Sequence, residues 1–118
     1  MKKKSDKRPW GGFEQFTLNE ESTVKILTIK PHQSPSVQKH KHRSEFWVIL
    51  DNPIKVTLGN RTFRAVKDQE IFIKKGQVHT AEAYSKTARI LEISFGKFDE
   101  NDITRLKDKY GRVNDKKK

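Results

Sequence analysis

The chain has 118 residues, of which 32% are hydrophobic and 35% charged, and its formal net charge is +11. A chain of this length forms one domain with a modest core. It contains no cysteine, which excludes disulfides, thiolate metal sites and thiol nucleophiles. No apolar run reaches membrane-spanning length, and no apolar signal core follows the basic start. We therefore expect a cytoplasmic protein without a membrane segment.

Much of the positive charge lies at the two ends of the chain. Residues 1–8 carry a net charge of +4 and residues 113–118 a net charge of +2, so +5 remains for the body. This distribution predicts a basic disordered tail over residues 1–7, a folded domain over 8–112 and a second basic tail over 113–118. Basic tails bind polyanions weakly, and no RNA-binding or helix-turn-helix pattern is present. A nucleic-acid-binding module stays an alternative, and nucleic acid is not the expected partner.

Short segments rich in β-branched residues alternate with turn signals along the body. Residues 23–30, 70–73 and 89–95 are typical of strands, and Gly59-Asn60 is a hairpin signal. About eight such segments predict an all-β domain built as a sandwich or small barrel. After the last strand, Asp99 can cap a helix in which Ile103, Leu106 and Tyr110 share one face. We therefore expect one C-terminal helix to close the domain.

The segment 36–50 concentrates side chains that bind metal ions. Gln38, His40 and His42 recur at the two-residue period of a strand, so their side chains leave on one face. Glu45 then begins a second series with the same two-residue period, offset by one residue from the first series. The change of parity predicts a bulge or tight turn at residues 41–44, which brings the carboxylate back beside the imidazoles. The segment therefore predicts a metal pocket.

A further metal-binding side chain lies later in the chain, where His79 follows a turn at Gly76. The order Gln38, His40, Glu45 and then His79 resembles the two motifs of the cupin superfamily, small jelly-roll-like β-barrels that bind one divalent metal ion. The resemblance implies that these four residues are the metal ligands and that Zn²⁺ is the ion, with Mn²⁺, Fe²⁺ and Ni²⁺ as alternatives.

Three segments narrow the resemblance within the cupins. RPWGGF at residues 8–13, KPHQSPSVQKHKHRSEFWVI at 30–49 and NDITRLKDKYGR at 101–112 resemble the type II mannose-6-phosphate isomerase domain. That domain also forms the C-terminal part of bifunctional mannose-6-phosphate isomerase/mannose-1-phosphate guanylyltransferases. The resemblance implies a metal-dependent isomerase that interconverts mannose 6-phosphate and fructose 6-phosphate through an enediol(ate). It also implies a small phosphorylated sugar as partner and, by fold analogy, a homodimer.

Candidate residues for this chemistry follow from the same resemblance and from charge. The candidates for catalysis are His42, Arg43 and Glu82, and the choice of general base between His42 and Glu82 is left open. Those for substrate binding are Arg8, Arg43, Tyr110 and Arg112, because a phosphate dianion needs a cation. For each arginine the alternative role is that of a solvated surface charge or a structural charge that does not bind substrate. The alternative function is a non-catalytic, metal-containing cupin that binds a sugar phosphate or sugar nucleotide.

Overall fold

The computed structural model describes residues 3–112, which form strands joined by turns and loops. Eleven strands follow one another in the chain: β1 (Lys4–Arg8), β2 (Gly11–Gln15), β3 (Ser22–Ile29), β4 (Val37–Lys39), β5 (Ser44–Ile49), β6 (Ile54–Leu58), β7 (Arg61–Ala65), β8 (Glu70–Ile73), β9 (His79–Ala83), β10 (Ala88–Phe95) and β11 (Thr104–Lys107). No helix that could cross a membrane is found among these residues.

Two antiparallel sheets and a separate hairpin make up the architecture. The four-stranded sheet has the order β3-β10-β5-β8, and the five-stranded sheet has the order β11-β4-β9-β6-β7. Within residues 3–112, strands β1 and β2 pair only with each other. Apart from the β6–β7 hairpin, neighbouring strands within each sheet lie far apart in sequence, so the sheets depend on long-range pairing such as that of β4 with β9.

The main hydrophobic core is formed by the inward faces of the two sheets. In β6, Ile54, Val56 and Leu58 are buried while Lys55 is exposed, which is the alternation expected of a strand with one covered face. Ile49 and Ile90 bring the facing sheet into the same cluster. Side chains on the opposite face of the four-stranded sheet form a second, smaller cluster, composed of Phe46, Ile93 and Phe95 with Phe16 and Val48 packed against it.

We expect Ile90→Val to lower the free energy of unfolding by about 1 kcal/mol. Ile90 is fully buried in the main core, and removal of one buried methylene costs about 0.5–1.5 kcal/mol. Urea denaturation measures the difference. Val66→Ala is the control, because Val66 is 43% exposed and its truncation should cost much less. Equal losses in the two variants would contradict the placement of Ile90 at the centre of the core.

The all-β prediction is confirmed, and two finer parts of the prediction are corrected. The sheets formed by residues 3–112 are not closed into a barrel by strand pairing. The predicted C-terminal helix is absent, because residues 104–107 form β11 and pair with β4. Asp99 caps a turn instead of a helix, since its carboxylate accepts the backbone N–H of Asn101 at 2.9 Å. Three apolar residues over eight positions were too few to define a helix, and the unpaired edge of β4 offered this segment backbone partners.

The N-terminal segment is more ordered than its composition suggests. Strand β1 lies mostly within residues 1–7, for which we predicted a disordered tail, and it pairs with β2 from Lys4↔Gln15 to Arg8↔Gly11. The domain boundaries stay a prediction. The second predicted tail, residues 113–118, lies outside the described part of the chain.

Candidate metal centre

Both sheets contribute to one end of the core, where their polar side chains meet. Glu45 is on β5 of the four-stranded sheet, and Gln38 and His79 are paired neighbours on β4 and β9 of the five-stranded sheet. His40 directly follows β4. The bend predicted at residues 41–44 is present, and Asp102 holds it by accepting the backbone N–H groups of Lys41 at 2.7 Å and His42 at 2.9 Å.

Two imidazoles and one carboxylate converge at this end. His40 Nε2 lies 3.5 Å from Glu45 Oε2, and His79 Nε2 lies 3.6 Å from Glu45 Oε1. Nitrogen and oxygen donor atoms of the three residues all lie within 4.8 Å of one another. The side chains are nearly inaccessible, with 1–3% of their surface exposed. Together they could hold a metal ion.

Both imidazoles present the same ring nitrogen to the cluster. His40 Nδ1 lies 2.8 Å from the backbone carbonyl of Asp102, and His79 Nδ1 lies 2.9 Å from that of Gln77. Each Nδ1–H donates to its carbonyl, which leaves the Nε2 lone pair directed at Glu45. Burial lowers the pKa of His79 to about 4 and also lowers the pKa of His40. At neutral pH the imidazoles are therefore uncharged, as metal ligands must be.

Glu45 provides the test of whether a cation fits. Its Oε1 atom is buried and has no hydrogen-bond partner, although an orphaned carboxylate oxygen is costly in a protein interior. The other oxygen, Oε2, accepts a hydrogen bond from Arg43 Nε at 3.2 Å. A divalent cation between the imidazoles would satisfy Oε1, so the donor set fits a metal ion.

Gln38 lies beside the three donors and lines the same cavity. Its Nε2 donates to the backbone carbonyl of Ser36 at 3.2 Å and to the Ser36 hydroxyl at 2.9 Å. The amide nitrogen is therefore committed to Ser36, and a metal ion would use the amide oxygen. The role of Gln38 as fourth ligand stays a prediction.

Arg43 is buried against the cluster, and all three of its guanidinium nitrogens have partners. In addition to the bond to Glu45, Nη1 donates to the backbone carbonyls of Asp99 at 3.1 Å and Asp102 at 3.4 Å. Nη2 lies 3.4 Å from His40 Nε2, and the guanidinium carbon lies 4.4 Å from the centre of the Phe98 ring. Arg43 thus neutralises Glu45 and fixes the loop that carries His40.

A cavity of about 580 Å³ opens onto the three donors. Its wall contains the charged residues Lys25, Arg43, Glu45, Glu92, Glu100 and Arg105. Apolar and aromatic surface comes from Leu27, Trp47, Phe98 and Ile103. Such a mixed lining suits a polar ligand with several hydrogen-bonding groups.

Glu92 is a site residue that the sequence analysis missed. It is 7% exposed and accepts a hydrogen bond from Trp47 Nε1 at 3.3 Å. Burial, and then the neighbouring Glu45 carboxylate, raise its pKa to about 7. The signal was present in the pattern: Ala88 and Ile90 set the inward face of β10, and Glu92 occupies the next position on that face.

Other predicted site residues lie outside this cavity. His42 is exposed, and Glu82 makes ion pairs with Lys55 at 3.4 Å and Lys109 at 3.5 Å. The remaining three also lie outside the cavity: Arg8 pairs with Asp6 on the hairpin, Tyr110 donates to Gln33, and Arg112 binds Asp108 through two guanidinium nitrogens. The structure therefore unites Gln38, His40, Arg43, Glu45 and His79 and leaves the others apart. The roles assigned to all of these residues stay predictions.

Sequence comparison identifies the family to which this chain is similar. The model of a family described as mannose-6-phosphate isomerase C-terminal matches residues 1–108. Mannose-1-phosphate guanylyltransferase ManC of Salmonella typhimurium is 34% identical over 108 residues, which are 90% of this chain and 22% of that protein. The alginate biosynthesis protein AlgA of Pseudomonas aeruginosa is 35% identical over 108 residues, again 90% and 22%. The chain thus spans about a fifth of the length of these relatives.

Solved structures show that the fold is that of a cupin. The cupin domain of Schizosaccharomyces pombe Cnp3 matches with a TM-score of 0.61 and 18% identity, over 80% of this chain and 64% of that one. The capsular polysaccharide assembling protein CapF of Staphylococcus aureus matches with a TM-score of 0.67 and 14% identity, over 90% of this chain and 34% of that one. The predicted cupin fold is confirmed, and at these identities the likeness extends to the fold alone.

The predicted activity is corrected by the same relatives. We expected a mannose-6-phosphate isomerase. The relatives from Salmonella and Escherichia coli are instead named mannose-1-phosphate guanylyltransferase, an enzyme that catalyses nucleotidyl transfer. The prediction of isomerase activity is therefore wrong. The prediction failed because a matching domain and metal site define only a scaffold, and one scaffold supports many reactions.

Proposed function

This chain belongs to the mannose-6-phosphate isomerase C-terminal family, and on that premise we propose that it binds one divalent metal ion and, in the adjoining cavity, a small phosphorylated sugar. His40, Glu45 and His79 hold the ion, with Gln38 as a fourth ligand. Zn²⁺ is the expected ion, because two neutral imidazoles and a carboxylate suit it. The mixed nitrogen and oxygen donors also accommodate Mn²⁺, Fe²⁺ or Ni²⁺.

The buried Glu45 Oε1 atom is the observation that carries this proposal. It has no hydrogen-bond partner, although Arg43 satisfies the other oxygen of the same carboxylate. The Nε2 atoms of both histidines point to this carboxylate, and both rings are held by backbone carbonyls. When bound, a divalent ion supplies positive charge and polarises ligand oxygens at the floor of the cavity.

The class of ligand follows from the walls of the cavity and from the names of the relatives. A volume of about 580 Å³ lies within the range of about 300–1,000 Å³ that is typical of small-molecule sites. Lys25 and Arg105 supply positive charge for a phosphate, and Glu92 and Glu100 supply acceptors for sugar hydroxyls. Relatives are named for mannose 1-phosphate, and this sugar phosphate is the first ligand to test.

Titration calorimetry with mannose 1-phosphate tests the proposal. We expect the metal-loaded protein to bind it, and the chelator-treated protein or free mannose to give binding weaker by about tenfold or more. Lys25→Met should weaken binding by about tenfold, because a charge-assisted contact to phosphate contributes about 1–2 kcal/mol. Lys55→Met is the matched control and should bind normally, since Lys55 pairs with Glu82 away from the cavity.

Two results would contradict the proposal. Mannose 1-phosphate could bind equally well with and without metal, or Lys25→Met and Lys55→Met could have equal effects. Either result would show that the ligand binds elsewhere on this basic chain.

A further inference from the structure

The connection between the two sheets passes beside the metal centre. Residues 96–103 join β10 of the four-stranded sheet to β11 of the five-stranded sheet, and they form turns and bends without a strand of their own. We call residues 98–103 the cover. Four of its residues form part of the wall of the cavity that opens onto the three donors: Phe98, Glu100, Asn101 and Ile103. The shape of this wall therefore depends on how the cover is held.

Asp102 of the cover is bound by three consecutive residues of the metal loop, which comprises residues 40–43. The Nδ1–H group of His40 donates to the backbone carbonyl of Asp102 at 2.8 Å. The carboxylate of Asp102 accepts the backbone N–H groups of Lys41 at 2.7 Å and His42 at 2.9 Å, one on each oxygen. Hydrogen bonds to an ionised carboxylate are stronger than those between neutral groups. Asp102 thus holds both the ring of a metal-binding histidine and the backbone next to it.

The last residue of the metal loop, Arg43, holds the cover at a second place. Its Nη1 donates to the backbone carbonyls of Asp99 at 3.1 Å and Asp102 at 3.4 Å. Its guanidinium carbon lies 4.4 Å from the centre of the Phe98 ring. Within the cover, the backbone N–H of Asp102 donates to the carbonyl of Asp99 at 3.0 Å. The cover and the metal loop are therefore connected along most of the length of the cover.

We propose that Asp102 is a positioning residue of the metal centre, and that its carboxylate couples metal binding at His40 to the order of the cover. The inference rests on the proposed metal function. A cation on Nε2 of His40 fixes the ring and makes Nδ1–H a stronger donor to the Asp102 carbonyl. Because coupling between two sites is reciprocal, the contacts that order the cover also tighten metal binding by the same factor.

The coupling gives the cavity a second reason to need metal. Glu100 and Asn101 belong to the cavity wall, and they are carried by the cover that Asp102 holds. A ligand that binds to a wall already in place loses less free energy to ordering than one that must order the wall itself. The metal-loaded protein should therefore bind a phosphorylated sugar more tightly, even where the sugar does not touch the ion.

Zn²⁺ affinities of matched aspartate variants test the positioning role. Asp102→Ala should weaken Zn²⁺ binding about 10–100-fold, as is typical when a partner outside the ligand shell is lost. Asp102→Asn keeps one acceptor oxygen and should lose less. Asp51→Ala is the control, because Asp51 also accepts two backbone N–H groups, those of Asn52 at 2.7 Å and Arg89 at 2.9 Å. Asp51 follows the end of β5 opposite to Glu45, so its variant should keep the wild-type affinity.

Hydrogen exchange measured by NMR separates the coupling from a general loss of stability. The backbone N–H groups of Asn101 and Asp102 both donate to Asp99, so their exchange reports the order of the cover. We expect Zn²⁺ to slow their exchange about tenfold in wild-type protein and in Asp51→Ala. Saturating Zn²⁺ should slow it much less in Asp102→Ala. Exchange in β6 of the core follows global stability and is the internal reference.

The outcomes distinguish this inference from the proposed function. A wild-type cover that exchanges at the same rate with and without bound Zn²⁺ would overturn the coupling and leave the metal site standing. Equal affinities of Asp102→Ala and Asp51→Ala would overturn the positioning role. Wild-type protein that binds no Zn²⁺, Mn²⁺, Fe²⁺ or Ni²⁺ would contradict the metal function itself, and with it this inference. If Asp102→Ala does not fold, Asp102→Asn provides the same comparison.

Discussion

Replacement of His40 with alanine is expected to abolish stoichiometric metal binding. His40 is one of three side chains whose donor atoms lie within 4.8 Å of one another, and its Nε2 lies 3.5 Å from Glu45. Even loss of a partner outside the ligand shell costs about 10–100-fold in metal affinity, so loss of a ligand should cost at least about 100-fold. Elemental analysis of the purified protein and competition with a chromogenic chelator measure the effect.

His42→Ala is the matched control for this experiment. His42 is two residues from His40 and also carries an imidazole, but its side chain is exposed. Its backbone N–H, and not its ring, binds Asp102. We expect His42→Ala to retain metal. Stoichiometric metal in the His40→Ala variant, or equal losses in both variants, would refute the assignment of the ligands.

Arg43→Met is expected to destabilise the metal-free protein by about 3–5 kcal/mol. The side chains of Arg43 and Glu45 are 7% and 1% exposed. The Arg43 guanidinium, 3.2 Å from the Glu45 carboxylate, is its direct counter-charge. Removal of one partner of a buried ion pair leaves an uncompensated charge, which typically costs about 3–5 kcal/mol. A divalent ion would supply another counter-charge, so the loss should be smaller when metal is saturating. Urea denaturation with metal and with chelator measures both values.

Arg89→Met tests whether this effect depends on burial. The Arg89–Asp51 pair is shorter, at 2.7 Å, but its side chains are 47% and 32% exposed. Exposed pairs contribute about 0–1 kcal/mol, so Arg89→Met should cost little in either condition. If chelator and metal gave the same loss for Arg43→Met, Arg43 would not be acting as the counter-charge of Glu45.

The contacts of Arg43 also bear on how the cavity binds an anion. We predicted from the sequence that Arg43 contacts a phosphate, and that role stays a prediction. In the structure its guanidinium contacts two backbone carbonyls, Glu45 and His40. A ligand phosphate would have to compete with these partners, whereas Lys25 stacks on Phe98 at the cavity wall with its ammonium 4.1 Å from the ring centre. Lys25 is therefore the better first target for mutagenesis.

The sequence by itself determined the fold class and the grouping of the metal-binding side chains. Alternation of β-branched residues with turn signals is a local property, and it predicted an all-β domain that the structure confirms. The change of parity between His42 and Glu45 correctly predicted the bend at residues 41–44, because strand periodicity fixes the side of the strand on which each side chain leaves. The resemblance to cupin motifs added His79, which is separated from His40 by 38 residues in the chain.

Only the tertiary structure decided which other side chains share the cavity and what the last segment becomes. Glu92 joins the site because β10 lies beside β5, and this pairing of distant strands is invisible to local patterns. Glu82 lies outside the cavity because it is on the face of β9 opposite to His79, where it pairs with Lys55. Arg112 instead pairs with Asp108. Residues 104–107 form a strand because the edge of β4 needs hydrogen-bond partners. Local periodicity sets the direction of side chains, and long-range strand pairing sets which of them meet.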